Sequence, residues 1–155
     1  MRPLWIALAL CVMAPANAQP AACATAEYRQ FDFWVGEWEV KTPDGKLAGH
    51  NRIEKVLGGC ALHESWTGAS GGRGHSYNAY DAQRKVWHQT WVDRQGSVLL
   101  LEGGLKDGAM VLANAGNRIT WTPRKGGTVT QVWETTADQG ASWKTVFHGV
   151  YRLQR

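Results

Sequence analysis

Apolar and polar residues along this chain follow two periods, and the change comes at Gly36. Before it, Tyr28, Phe31 and Trp34 or Val35 are spaced for one side of a short helix over Thr25–Val35, with Thr25 as N-cap and Glu27 in the first turn. After it the period is two. Trp38 and Val40 alternate with Glu37, Glu39 and Lys41, and further short runs follow over Ala48–Leu57, Cys60–Thr67, Ser76–Tyr80, Val86–Val92, Val98–Glu102, Met110–Ala113, Arg118–Arg124, Thr128–Thr135 and Trp143–Leu153. Turn-forming residues separate them: Pro43-Asp44-Gly45, Gly58-Gly59, a glycine-rich stretch Gly68–Gly74 read as a flexible loop, Asp81–Lys85, Asp107-Gly108 and Asn114–Asn117. About ten short strands at this spacing predict an all-β sandwich or barrel.

Charged residues face out of a small barrel, so they set the phase of each strand. With Glu134 outside, Val129, Gln131 and Trp133 face in; with Arg118 and Arg124 outside, Ile119 and Trp121 face in. With Lys144 outside, Thr145, Phe147 and Tyr151 face in and His148 faces out. In the runs at 60–67 and 86–92 the tryptophan-bearing face is taken as the inner one. A pattern then recurs: Glu64-x-Trp66, Gln89-x-Trp91 and Gln131-x-Trp133 each put a planar polar group and an indole on one strand face. These fall on the third, fifth and ninth strands of an up-and-down meander, which run the same way, so the polar groups form one layer and the indoles the next. Ser76, Asn78 and Tyr80 share one face of the strand between the first two. The expected result is a polar, aromatic-walled cavity lined by Glu64, Asn78, Gln89 and Gln131, with Tyr80, Trp66, Trp87, Trp91, Trp121 and Trp133 around it. Buried amides and carboxylates need partners, which here are one another, water or a ligand.

The N-terminus adds a compartment. Arg2, the apolar run Leu4–Ala14 and Ala16-Asn17-Ala18 have the layout of a cleaved signal peptide over residues 1–18. The remaining domain, residues 19–155, is expected to be periplasmic or secreted, and no stretch in it is long and apolar enough for a membrane span. Cys23 and Cys60 are then the only cysteines, and an even count in an exported chain predicts a disulfide between them. Net charge is +4 for the full sequence. Its basic residues are scattered, not gathered on one face as a nucleic-acid footprint requires, so no nucleic-acid partner is expected.

Gly36-x-Trp38 at the head of the first strand, behind a short helix, resembles the lipocalin signature. That resemblance implies that an arginine near the end of the last strand, here Arg152 in Val150-Tyr151-Arg152, packs across Trp38 and donates to carbonyls of the N-terminal helix. The domain as a whole resembles a family of exported bacterial calycin-like domains of unknown function. The matching stretches are FDFWVGEWEV at Phe31–Val40, Leu57-Gly58-Gly59-Cys60, Tyr80-Asp81, WHQTWVD at Trp87–Asp93 and RITWTP at Arg118–Pro123. The fold implied is a lipocalin-like up-and-down antiparallel barrel of about ten strands, closed at the end that carries Phe31–Val40. The spacing Thr136-x-Asp138-x-Gly140-x-Ser142-Trp143 resembles a single Asp-box hairpin, with Asp138 accepting backbone N–H groups and Gly140 at positive φ.

The candidate chemistry is sparse. No histidine pair has close metal-ligand spacing, and no metal or other cofactor is expected. Nitrobindin-like calycins hold haem through a barrel histidine; His148 is nearest by position, but its strand parity points it outward. The reading that follows is a non-catalytic binding protein for a small amphipathic or aromatic molecule. Two alternatives stand beside it. A carboxyl in an apolar cavity has a raised pKa, so Glu64 with Asn78 or Tyr80 would suit an isomerase or lyase. A filled barrel would instead serve partners through an exposed edge near Ala48–Leu57.

Overall fold

A computed structural model describes residues 22–154, and residues 1–18, expected from the sequence to be a signal peptide, lie outside the described residues. Ten antiparallel strands form one closed barrel: β1 (Gly36–Lys41), β2 (Leu47–Val56), β3 (Ala61–Gly68), β4 (Arg73–Asp81), β5 (Val86–Asp93), β6 (Val98–Lys106), β7 (Ala109–Ala113), β8 (Asn117–Arg124), β9 (Thr128–Thr135) and β10 (Lys144–Leu153). Each strand pairs with its neighbours in sequence, and β1 pairs with β10 to close the ring. The all-β class is therefore as expected from the alternation, and the up-and-down barrel is the architecture that the resemblance implied. An exposed edge at β2 is not: that strand is paired on one side with β1 and on the other with β3, because closure leaves no edge.

The expected helix over Thr25–Val35 is instead two 3-10 turns, Ala26–Arg29 and Asp32–Trp34. A 3-10 turn eclipses residues three apart, which brings Phe31 and Trp34 onto one side. Their rings stack with centroids 4.8 Å apart, and both residues are fully buried. The pair plugs one end of the barrel against Trp87 and Trp121, at 5.7 and 5.2 Å from Phe31. The disulfide Cys23–Cys60 ties the preceding segment to the β2–β3 connection. Arg29 reinforces it by donating to the carbonyls of Gly59 (2.6 Å) and Cys23 (3.2 Å).

Trp38 lies inside the closed end, with its indole N–H donating to the Trp34 carbonyl at 2.9 Å. The expected stack of Arg152 across it is absent from the geometry. Arg152 pairs with Glu39 on the outer face, one residue out of phase with the inward Tyr151, and is exposed. The carbonyl-capping role expected of Arg152 is filled from within by Trp38. Leu153, opposite Trp38 in the ladder, packs over Gly36, where a Cβ would sit 2.5 Å from its Cδ2.

Candidate functional site

The barrel's other end is open, and a cavity of about 490 Å³ runs into it. Its wall carries Glu64 and Trp66 from β3, Gln89 and Trp91 from β5, and Gln131 and Trp133 from β9. The Glu/Gln-x-Trp pattern on alternate strands thus does place three polar groups in one layer and three indoles in the next. Glu64, Gln89 and Gln131 are buried, whereas the three indoles are only half-buried and surround the mouth. Trp121 lies at the cavity's inner limit, against the Phe31–Trp34 plug.

The other expected wall residues lie elsewhere. Tyr80 and Trp87 face inward but sit one layer too deep, opposite each other in the β4–β5 ladder. Trp87 donates its indole N–H to Gln30 Oε1 at 3.1 Å, and Tyr80 packs edge-on against Tyr28, so both belong to the closed end. Asn78 is fully buried behind the wall and acts through its neighbours. Thr145, expected inside, is exposed beside Glu134, because a bulge at Val146 shifts the register of β10. Val146, Thr135 and Leu99 join the rim of the wall; Thr135 continues the inward parity that Glu134 sets for Gln131 and Trp133.

A hydrogen-bonded belt crosses the cavity's inner layer. Gln89 Nε2 donates to Asn78 Oδ1 (2.8 Å), Asn78 Nδ2 to Ser76 Oγ (2.9 Å), and the Ser76 hydroxyl to Glu64 Oε2 (2.6 Å). From the other side Asn51 Nδ2 donates to Glu64 Oε1 at 2.7 Å and lies 3.4 Å from the Tyr151 hydroxyl, which in turn donates to Gln131. Asn51 was not foreseen. The signal for it was the outward row His50, Arg52 and Glu54 on β2, which sends Asn51 in with Gly49 and Ile53. Asn51 Oδ1 and Trp121 Nε1 are buried without a hydrogen-bond partner among the described residues.

Burial pushes the Glu64 carboxyl above its ordinary value, against the opposing pull of the Ser76 and Asn51 hydrogen bonds. Burial, with the nearby Glu64 charge second, raises the Tyr151 hydroxyl as well, so it stays protonated at neutral pH. Tyr80, four residues along β4 from the Ser76 that pairs with Glu64, cannot serve as its electrophilic partner.

Two glycines make room for the indoles. A Cβ on Gly74 would lie 2.2 Å from Trp91 Cζ2, and one on Gly49 2.8 Å from Trp66 Cη2. Both rings therefore lie over bare backbone of the neighbouring strand, leaving the lumen open. The stretch read as a flexible loop is consequently shorter and more ordered than expected. Gly68 and Gly74 belong to strands, and Ala69–Gly72 is a tight turn held by Ala69 N–H to Ala48 O (2.9 Å) and Arg94 Nη1 to Gly71 O (3.0 Å).

The predicted hairpin at Thr136–Trp143 forms beside the mouth. Asp138 Oδ1 accepts the Ser142 N–H at 2.8 Å, Gly140 has φ of 95°, and the bonds from Ser142 and Thr136 bring the Asp138 pKa down to about 2. His148 faces outward opposite Val132, away from the cavity. His63 and His75 do meet, stacked at 5.3 Å on the outer face of β3 and β4. No group of three or more metal-ligating side chains occurs among the described residues. No protein-family model matches this chain, and no curated protein matches it.

Proposed function

We propose that this chain is an exported, calycin-like carrier or sensor barrel that binds a small amphipathic or aromatic molecule without converting it. The observation that carries this is the cavity of about 490 Å³, walled by indoles and floored by three amide or carboxyl groups. That volume and that mixture suit a small-molecule site. Packing the same side chains solid would have left no such space. Both oxygens of Glu64 are held by fixed neighbours, which favours a stationary charge or dipole over a proton shuttle. Export is supported by the Cys23–Cys60 disulfide, since such bonds persist in oxidising compartments. No helix among the described residues is long and apolar enough to cross a membrane.

The test uses N-phenyl-1-naphthylamine, a neutral aromatic amphiphile whose fluorescence rises in apolar surroundings. The expected result is saturable enhancement that disappears in Leu99→Trp, which fills the cavity from the wall. Absence of enhancement in the unaltered protein, or equal enhancement in the filled variant, would overturn the reading.

A further inference from the structure

The polarity of the belt around Glu64 narrows the kind of molecule the cavity suits. Asn78 is fixed from both sides: its carbonyl accepts from Gln89 and its amide donates to Ser76. With Ser76 Oγ accepting from Asn78, its own proton points to Glu64 Oε2. Asn51 presents a second N–H to Oε1. Two donors thus converge on the carboxyl group, one at each oxygen, and such bonds are strongest when the group is ionised. Glu64 is the only buried charged residue among the described residues, and no lysine, arginine or histidine lies on the cavity wall. Of the titratable groups facing it from the packed strands, only Tyr151 on β10 is present; β2 and β4 offer Asn51, Ser76 and Asn78. The carboxylate therefore has hydrogen-bond donors but no counter-charge. It also keeps free lone pairs, and beside it Asn51 Oδ1 is an acceptor with no donor.

Around that charge the wall is aromatic. Trp66, Trp91, Trp121 and Trp133, with Phe147 and Tyr151, line the same cavity. Indole faces attract cations, most strongly where water is excluded, and a cage of aromatic rings closed by a carboxylate selects substituted ammonium groups. An anionic amphiphile would meet an uncompensated like charge.

We propose that the cavity binds an organic cation, an alkylated or aryl-substituted ammonium paired with ionised Glu64 and caged by the tryptophans. This rests on the reading that the cavity holds a small molecule, and adds the sign of the charge. A cation completes the pair that the protein itself leaves open, so its binding is coupled to ionisation of Glu64.

Three probes of one shape separate the possibilities: benzyltrimethylammonium, its uncharged isostere neopentylbenzene, and the anion phenylmethanesulfonate. Binding is read by tryptophan fluorescence with the full mature protein. The cation is expected to bind at least about tenfold more tightly than the neutral isostere near pH ~8, with the sulfonate weakest. Lowering the pH to ~4 should weaken the cation by about tenfold or more and leave the neutral probe unchanged, because Glu64 takes up a proton. In Glu64→Gln the preference for the cation should vanish while neutral binding survives. The pH series in the unaltered protein gives the same answer if that variant fails to fold. Equal or tighter binding of neopentylbenzene overturns the cation assignment and leaves the cavity reading standing. Failure of all three probes, together with failure of N-phenyl-1-naphthylamine, overturns both.

Discussion

The indole N–H of Trp38 donates to the backbone carbonyl of Trp34, 2.9 Å away, and so ties the first strand to the turn that plugs the barrel. One residue thereby closes a 3-10 turn and fills the core above it. Trp38→Ala should destabilise the protein by about 3–5 kcal/mol in chemical denaturation. Trp38→Phe, which keeps most of the burial but leaves the carbonyl unpaired, should lose about 1–3 kcal/mol. Arg152→Ala, on the outer face, should change stability by no more than about 0.5 kcal/mol. A loss for Arg152→Ala matching that for Trp38→Phe would contradict this division of roles.

Gly74 offers a way to close the cavity without touching a polar group. A methyl there would collide with the Trp91 ring and drive it into the lumen. Gly74→Ala should weaken cavity binding by about tenfold while lowering stability by about 1–3 kcal/mol, a typical overpacking cost. Unchanged affinity measured with N-phenyl-1-naphthylamine would mean the ring finds another path.

The raised Glu64 pKa makes stability depend on pH in a set direction. The folded state holds the Glu64 proton to higher pH than the unfolded chain does. Its contribution is therefore fully present below the unfolded value of about 4.3 and is lost as pH rises through the folded value. Thermal melts of the ligand-free protein should show this decline with rising pH. In Glu64→Gln the decline should be smaller, and the variant should be at least as stable as the parent at neutral pH. A steeper decline in the variant would contradict the assignment.

Asp138 acts with the opposite sign. Its lowered pKa, from hydrogen bonds with Ser142 and Thr136, contributes stability above the ordinary carboxyl range that is lost as pH falls toward about 2. Asp138→Ala should speed amide exchange at Ser142 first, with the core strands unaffected. Uniform acceleration across the barrel would show that the hairpin is coupled to global unfolding.

The Cys23–Cys60 bridge joins residues separated by 37 positions. Chain-entropy reasoning assigns such a loop roughly 4 kcal/mol. Reduction of the folded protein should lower the denaturation midpoint accordingly. A negligible change would mean that Arg29, with its bonds to Gly59 and Cys23, holds the segment alone.

Much of the site was legible because charge sets strand phase. Glu134 and Arg118 sent Gln131, Trp133 and Trp121 inward, and the parity of Glu64-x-Trp66 did the same on β3. Parity tells which face a side chain occupies but not its height along the barrel, which is why Trp87 and Tyr80 fell one layer below the cavity. Thr145 was misplaced because a bulge leaves no mark in composition. Arg152 differs for another reason: the lipocalin resemblance implies a contact with Trp38, whereas the alternation through Tyr151 already points Arg152 outward. Asn51 was legible in principle, but no indole accompanied it to draw attention to the strand.

The barrel's closure separates one pairing from all the others. Nine of its ten ladders join consecutive strands, so each forms as a local hairpin. Of these ladders only the β1–β10 seam, where Trp38 lies opposite Leu153, pairs residues more than a hundred positions apart. Formed first, with no other ladder in place, that seam would cost about 4 kcal/mol of loop entropy. Folding is therefore expected to wait on this single meeting of the chain's two ends, with the remaining nine ladders assembled ahead of it.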